Sequence, residues 1–287
     1  MKFFQSLQFA ATADLFDLAR VLEEQTPFDG AFLGDHWLYP QTLLAPYPYS
    51  ADGTPGFPAE TEWPHIGATL GALAAATSRL HFTTSIMVLP LYSPVDIAKM
   101  MGTLSVLSEE RVSLGIGVGW MEDEFRATGI DFTTRGKRTD EMIEVMRLLW
   151  TGEMAEYHGR FFDFPPMMTR PRPLGRVPLY ISGYSDASLR RAVTAGDGWI
   201  SGSTNPAKAL EQLPRIQAKM AEAGRDDGSF EVIVLARSDL DFIKQLEQLG
   251  VTTVYNYSSL ADYAGERTTR DKIDDILRYS DEIIGRL

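Results

Sequence analysis

The chain has 287 residues, 44% apolar and 23% charged, with a formal net charge of −12. This is ordinary globular composition, ample for a sizeable core, and its acidity argues against nucleic acid or an anionic membrane as partner. With no cysteine there are no disulfides, thiolate nucleophiles or cysteine zinc sites.

The opening MKFFQSLQF is interrupted by Gln5 and Gln8 and lacks a small-residue cleavage site, so it does not read as a signal peptide. No apolar run reaches the ~18 residues needed to cross a bilayer. The expectation is a cytoplasmic protein.

Strand-like runs recur at 3–9, 29–35, 80–88, 111–119, 177–183, 196–202, 230–236 and 251–257. Helical patterns lie between them. In DLFDLARVLEEQ, Leu15, Leu18, Ala19 and Leu22 share one face. Ser93-Pro94 reads as an N-cap followed by N1, and Gly196 and Gly250 mark helix ends. Eight strands alternating with helices predict an α/β fold, a (β/α)8 TIM barrel occupying 1–287 as a single domain. A doubly wound open sheet is the competing arrangement. Two insertions break the rhythm, one after strand 2 (37–64, with six prolines) and one before strand 5 (152–177). Both are too long for simple connectors and should be lids, binding walls or extra ordered elements. The first should lie at the face where barrel active sites sit.

Asp35 and His36 end the second strand run, where barrels present catalytic groups, and could form an acid/base unit. The four histidines, at 36, 65, 81 and 158, include no H-x-H pair, so no metal site is expected. In the fourth run, VSLGIGVGW, alternation puts Ser113, Gly115, Gly117 and Gly119 on the inward face. They would leave a gap there, a floor for something flat; the competing view is that they compensate for large neighbours. The spacing of two is not a dinucleotide fingerprint, and Glu122, Asp123 and Glu124 would repel a phosphate. A phosphate fits better where Gly183 leads into Ser185 and Asp186 at a helix start, near Ser201, Gly202, Ser203 and Thr204.

Four stretches together resemble the luciferase-like monooxygenase superfamily, in particular its branch that uses coenzyme F420, a deazaflavin. They are FxxxFLGDH (28–36), TSIMVLPLYSPV through LGIGVGW and EF (84–125), RGKRTDEMIEVMRLLW (135–150), and YHGRFFDF on to AGDGW (157–199). The resemblance implies a barrel holding the deazaflavin, or alternatively FMN, at its C-terminal mouth. It further implies a cis peptide at Ser85–Ile86 pressing on the ring, Asp35 and His36 at the ring, and Gly117, Gly119 and Trp120 as the wall beside it. Gly183, Tyr184, Ser185, Gly202 and Ser203 would match the phosphate loops. His36 would be proton donor or acceptor, with Asp35 orienting it or the ring. The expected reaction is hydride transfer between reduced coenzyme F420 and a small, fairly apolar substrate. Alternatives are an FMN monooxygenase fed by a separate reductase, and a flavin-binding barrel without turnover. Relatives are often homodimers. Two departures stand out. The family's buried carboxylate after strand 3 is absent from LSVLS (104–108), and Trp120 stands where glucose-phosphate dehydrogenases of this branch carry a glutamate. Arg170, Arg172, Arg176, Arg190 and Arg191 are the candidate basic residues near the mouth for an anionic cofactor tail; the competing view is that they are solvated surface.

Overall fold

The computed structural model describes residues 1–50, 52–202, 206–225, 228–236, 238–256 and 267–287. In chain order the elements are β1 (Lys2–Ser6), α1 (Leu15–Gln25), β2 (Gly30–Leu33), α2 (Ile66–Ala76), β3 (His81–Thr84), β4 (Met87–Val88), α3 (Pro94–Leu107), β5 (Val112–Gly117), α4 (Glu122–Ala127) and α5 (Arg135–Trp150). There follow β6 (Ala155–His158), β7 (Asp163–Met167), β8 (Leu179–Ser182), α6 (Asp186–Ala195), β9 (Gly198–Ile200), α7 (Pro206–Glu222), β10 (Glu231–Leu235), α8 (Leu240–Gln248), β11 (Thr253–Asn256) and α9 (Thr269–Glu282).

Every strand run of the sequence contains a strand of one parallel sheet, in the order β3-β2-β1-β11-β10-β9-β8-β5-β4, and pairing of β3 with β5 closes it. The third run is split, with β3 and β4 as its two halves around a cis peptide at Ser85–Ile86. The result is the expected (β/α)8 barrel and not an open sheet. Outward-facing Ala31, Phe82, Leu114, Leu179, Trp199 and Val254 join the large core between strands and helices. Inward-facing Phe4, Phe32, Tyr180, Ile200, Ile233 and Tyr255 fill the barrel itself, with Ile86 packed on them.

The inward register of the glycine strand holds; backbone fills the space at Gly115, while Gly117 and Gly119 line the cavity at the barrel mouth. A Cβ on Gly115 would lie 2.1 Å from the Thr84 carbonyl oxygen, and one on Gly117 2.3 Å from Ile86 Cδ1. The Thr84 hydroxyl donates to the Gly115 carbonyl (2.6 Å) and accepts from its N–H (2.9 Å). Gly119, at φ +82°, faces Val88 and Phe125. The glycines therefore make room for the displaced third strand and for Ile86, which is the competing view from the sequence.

The second insertion leaves α5 and returns to β8, so it starts and ends on the N-terminal face, opposite the barrel mouth. It forms the β6–β7 hairpin, which docks on α5 through Tyr157 to Glu144 (2.7 Å) and the Phe161 N–H to Glu141 (2.8 Å). It then runs along α3, where the Leu174 N–H donates to Ser105 (3.1 Å) and Lys99 to the Arg170 carbonyl. Arg176 pairs with Asp197, just before β9. This insertion is an ordered outer strap, not a lid.

Gly115→Ala drives a methyl group into main chain and should cost about 3 kcal/mol, the upper end for overpacking. Gly117→Ala meets only the tip of a flexible side chain and should cost under about 1 kcal/mol, displacing Ile86 instead. Urea unfolding of both variants checks this; equal costs would refute it.

Candidate active site

At the C-terminal mouth lies a cavity of about 290 Å3, lined by side chains from most of the βα connections. Asp35, His36, Ser85, Ile86, Gly117, Gly119, Trp120, Gly183, Tyr184, Ser185 and Gly202 all line it. The sequence reading thus selected groups that folding brings together from five strand ends. Ser203 and Thr204 lie outside the described residues.

Asp35 is 7% exposed. Both of its carboxylate oxygens accept from the Tyr92 hydroxyl (3.0 Å each), and Oδ2 also accepts from the Val88 N–H (3.1 Å). Val88 can reach it because the third strand is displaced at Ser85–Ile86. Burial pushes the Asp35 pKa up to about 6, against the opposing pull of these hydrogen bonds. Burial, followed by the Asp35 charge, pushes the Tyr92 hydroxyl far up, so it stays a donor.

His36 is not oriented by Asp35, whose oxygens are taken by Tyr92 and Val88. Its Nδ1 instead meets Glu124 Oε1 at 3.1 Å, across 88 residues. The same oxygen accepts from the N–H groups of Trp37 (2.7 Å) and Leu38 (3.4 Å). Glu124 sits in the first turn of α4 and is 1% exposed, and its Oε2 has no hydrogen-bond partner among the described residues. Sequence reading used this residue as an argument against a phosphate and as part of the resembling stretch 84–125, and gave it no role in the site. Its signal was a carboxylate one helical turn beyond a strand end, but nothing local joined it to His36.

The first insertion builds the cavity wall. Around His36 stand Trp63 (4.9 Å between ring centroids), Phe57 (5.4 Å) and Trp120 (5.9 Å), and Tyr47 packs on Trp120 (5.0 Å). Carboxylates hold this segment at both ends. Besides Glu124 at its start, Asp123 accepts from the Leu44 N–H (3.2 Å) and Glu62 from the Thr12 N–H (2.7 Å).

Opposite, Gly183 adopts φ +126°, where a Cβ would strike Ser188. Ser185 caps α6 by accepting from the Ser188 N–H (3.2 Å), so the protein itself uses one of the expected anion-binding donors. Asp186, on the first turn of α6, is neutralised by Arg215 at 2.8 Å. Among the described residues no lysine or arginine lines the cavity. Arg170, Arg172 and Arg176 belong to the strap outside the mouth, and Arg191 is engaged by Asp140 (2.5 Å). This corrects the assignment of those arginines to the mouth.

The raised Asp35 pKa fixes a sign. Between about pH 4 and pH 6 the folded state binds the proton that the unfolded state has released, so stability contributed by this group falls as pH rises through that window. The full effect is on the order of 3 kcal/mol, from 1.36 kcal/mol per pKa unit. Urea unfolding at pH 4 to 7 should show Asp35→Asn gaining on the wild type as pH rises; a constant difference would refute it.

The chain matches the luciferase-like monooxygenase family over residues 4–238. An uncharacterized protein of Mycobacterium tuberculosis is 35% identical over 233 residues, 80% of either chain. The F420-dependent glucose-6-phosphate dehydrogenase of Segniliparus rotundus is 29% identical over 247 residues, 82% of this chain and 69% of that one. The crystal structure of monooxygenase RslO1 from Streptomyces bottropensis has the same fold, with a TM-score of 0.79 over 100% of this chain and 99% of that one at 17% identity. A barrel whose mouth gathers Asp35, His36 and the displaced third strand, matched by a family over most of its length, has one assignment: the chain belongs to the luciferase-like monooxygenase family.

Proposed function

We propose that the protein is a deazaflavin-dependent oxidoreductase acting on a small, uncharged and fairly apolar substrate. The observation that carries this reading is the charge pattern of the cavity. Its lining includes one carboxyl whose pKa burial raises to about 6, Asp35, beside one histidine, His36, and no cationic side chain among the described residues. A group that fits must bring a flat apolar body and place little anionic charge inside the cavity. Next to its ring and linker coenzyme F420 carries a phosphodiester of single charge, and its further carboxylates belong to an extended glutamate tail that can lie outside the cavity, whereas FMN ends in a phosphate near −2. Backbone N–H groups at the start of α6 suit the first better than the second. The F420-dependent relative supports the same choice.

Residue roles follow. Ile86, Gly117 and Gly119 line the cavity without polar side chains, a wall against which a tricyclic ring would lie. Gly183, Ser185 and Gly202 would hold the linker and its phosphodiester through backbone and hydroxyl donors. When bound, the cofactor supplies hydride exchange at one carbon. His36 holds or accepts the proton of the substrate oxygen, and Asp35, anchored by Tyr92 and Val88, sits at the ring side. Trp120, Tyr47 and Phe57 exclude water and bind the apolar part of the substrate. A sugar phosphate finds no counter-charge here, and Trp120 replaces the glutamate expected for glucose phosphate.

Parallel fluorescence titration with deazaflavin and FMN tests the cofactor. Micromolar binding of deazaflavin, with FMN at least about 10-fold weaker, is expected, a gap of about 1.4 kcal/mol. Oxygen consumption dependent on reduced FMN, or tighter FMN binding, would overturn the reading. With a panel of simple secondary alcohols and ketones, His36→Ala should lower turnover by about 100- to 10,000-fold while leaving deazaflavin affinity nearly unchanged. Glucose 6-phosphate should give no turnover.

A further inference from the structure

We infer that Glu124 is the positioning residue of His36, holding the ring proton on Nδ1 and leaving Nε2 free to accept a proton from the substrate. The inference relies on the proposed hydride exchange only for what happens beyond Nε2.

The geometry at Glu124 Oε1 is one-sided. That oxygen already accepts from the Trp37 N–H at 2.7 Å and the Leu38 N–H at 3.4 Å, so it has no room for a proton of its own. Whatever lies 3.1 Å away on His36 must therefore be a donor, which assigns N–H to Nδ1. Neutral imidazole carries one proton, so Nε2 holds a lone pair. His36 lines the cavity, and no partner for Nε2 occurs among the described residues. Rings of Trp63, Phe57 and Trp120 restrict the imidazole plane without competing for that lone pair. Asp35 does not take this role, because its oxygens serve Tyr92 and Val88.

This tautomer sets the chemistry of the resting site. With an oxidised deazaflavin in place, that group would take the carbinol hydride of an alcohol with its two electrons. The hydroxyl proton passes to Nε2, and the C=O bond forms. His36 is then doubly protonated, with its Nδ1–H still on the Glu124 carboxylate. Reduction of the ketone runs the same transfers backwards. The same carboxylate anchors the start of the aromatic insertion, so histidine and wall are aligned by one atom.

The test is a long-range 1H–15N spectrum of uniformly labelled full-length protein at a pH where the ring is neutral, with His36 identified by His36→Asn. Expected is the Nδ1–H form in the wild type. Glu124→Gln, whose amide can turn to donate, should populate Nε2–H, and Glu124→Asp should keep Nδ1–H. In turnover, Glu124→Gln should lower kcat by about 10- to 100-fold, as for other groups that orient a histidine, with KM within about 2-fold. An Nε2–H form in the wild type, or a tautomer unchanged by Glu124→Gln, overturns the inference. Should that variant fail to fold, the wild-type spectrum alone decides. Absent deazaflavin turnover alongside the expected tautomers would sink the proposed function and leave the pairing standing.

Discussion

The mouth of this barrel depends on one close approach, that of the Thr84 carbonyl to Gly115. Neighbouring strands tolerate it because β5 carries no side chain there, and the Thr84 hydroxyl closes the contact with a hydrogen bond to each backbone group of the glycine. Displacing the third strand by this route has two effects. It turns Ile86 inward over Gly117, and it brings the Val88 N–H onto Asp35. A buried carboxylate needs such donors, since burial alone penalises its charge. The absence of a side chain at one position thus reaches the acid that opens the site.

A second tier rests on carboxylates that accept from backbone. Glu124, Asp123 and Glu62 tie the first insertion to α4 and to the segment before α1. The wall they secure is almost wholly aromatic, and each of those rings packs edge-on against a neighbour. Histidine 36 belongs to both tiers, following Asp35 in sequence and bound to Glu124 in space.

The fold was legible in the sequence because strands buried on both faces read as continuous apolar runs, and all eight runs became barrel staves. Most site residues were legible as well, because barrels present function at strand ends. What escaped was long-range. Nothing near FLGDH announces a partner 88 residues away, and three acids after a glycine strand look like a solvated turn. The glycine face was read correctly in register, and Gly117 and Gly119 do line the cavity, but alternation tells which way Gly115 points and not that the Thr84 carbonyl occupies the space there. The arginines of the second insertion were placed at the mouth because composition is blind to whether a connection runs from strand to helix or from helix to strand.

The first insertion is fastened at its two ends and contributes rings in between, while the proton-handling groups sit on strand ends and α4. Those two parts have separate supports. Exchanging Tyr47 or Tyr49, which line the cavity, would reshape it without disturbing Asp35, Glu124 or the displaced third strand, whereas Phe57 and Trp63 also bear on the His36 ring. The wall can therefore be altered at its middle while the polar groups keep their own supports.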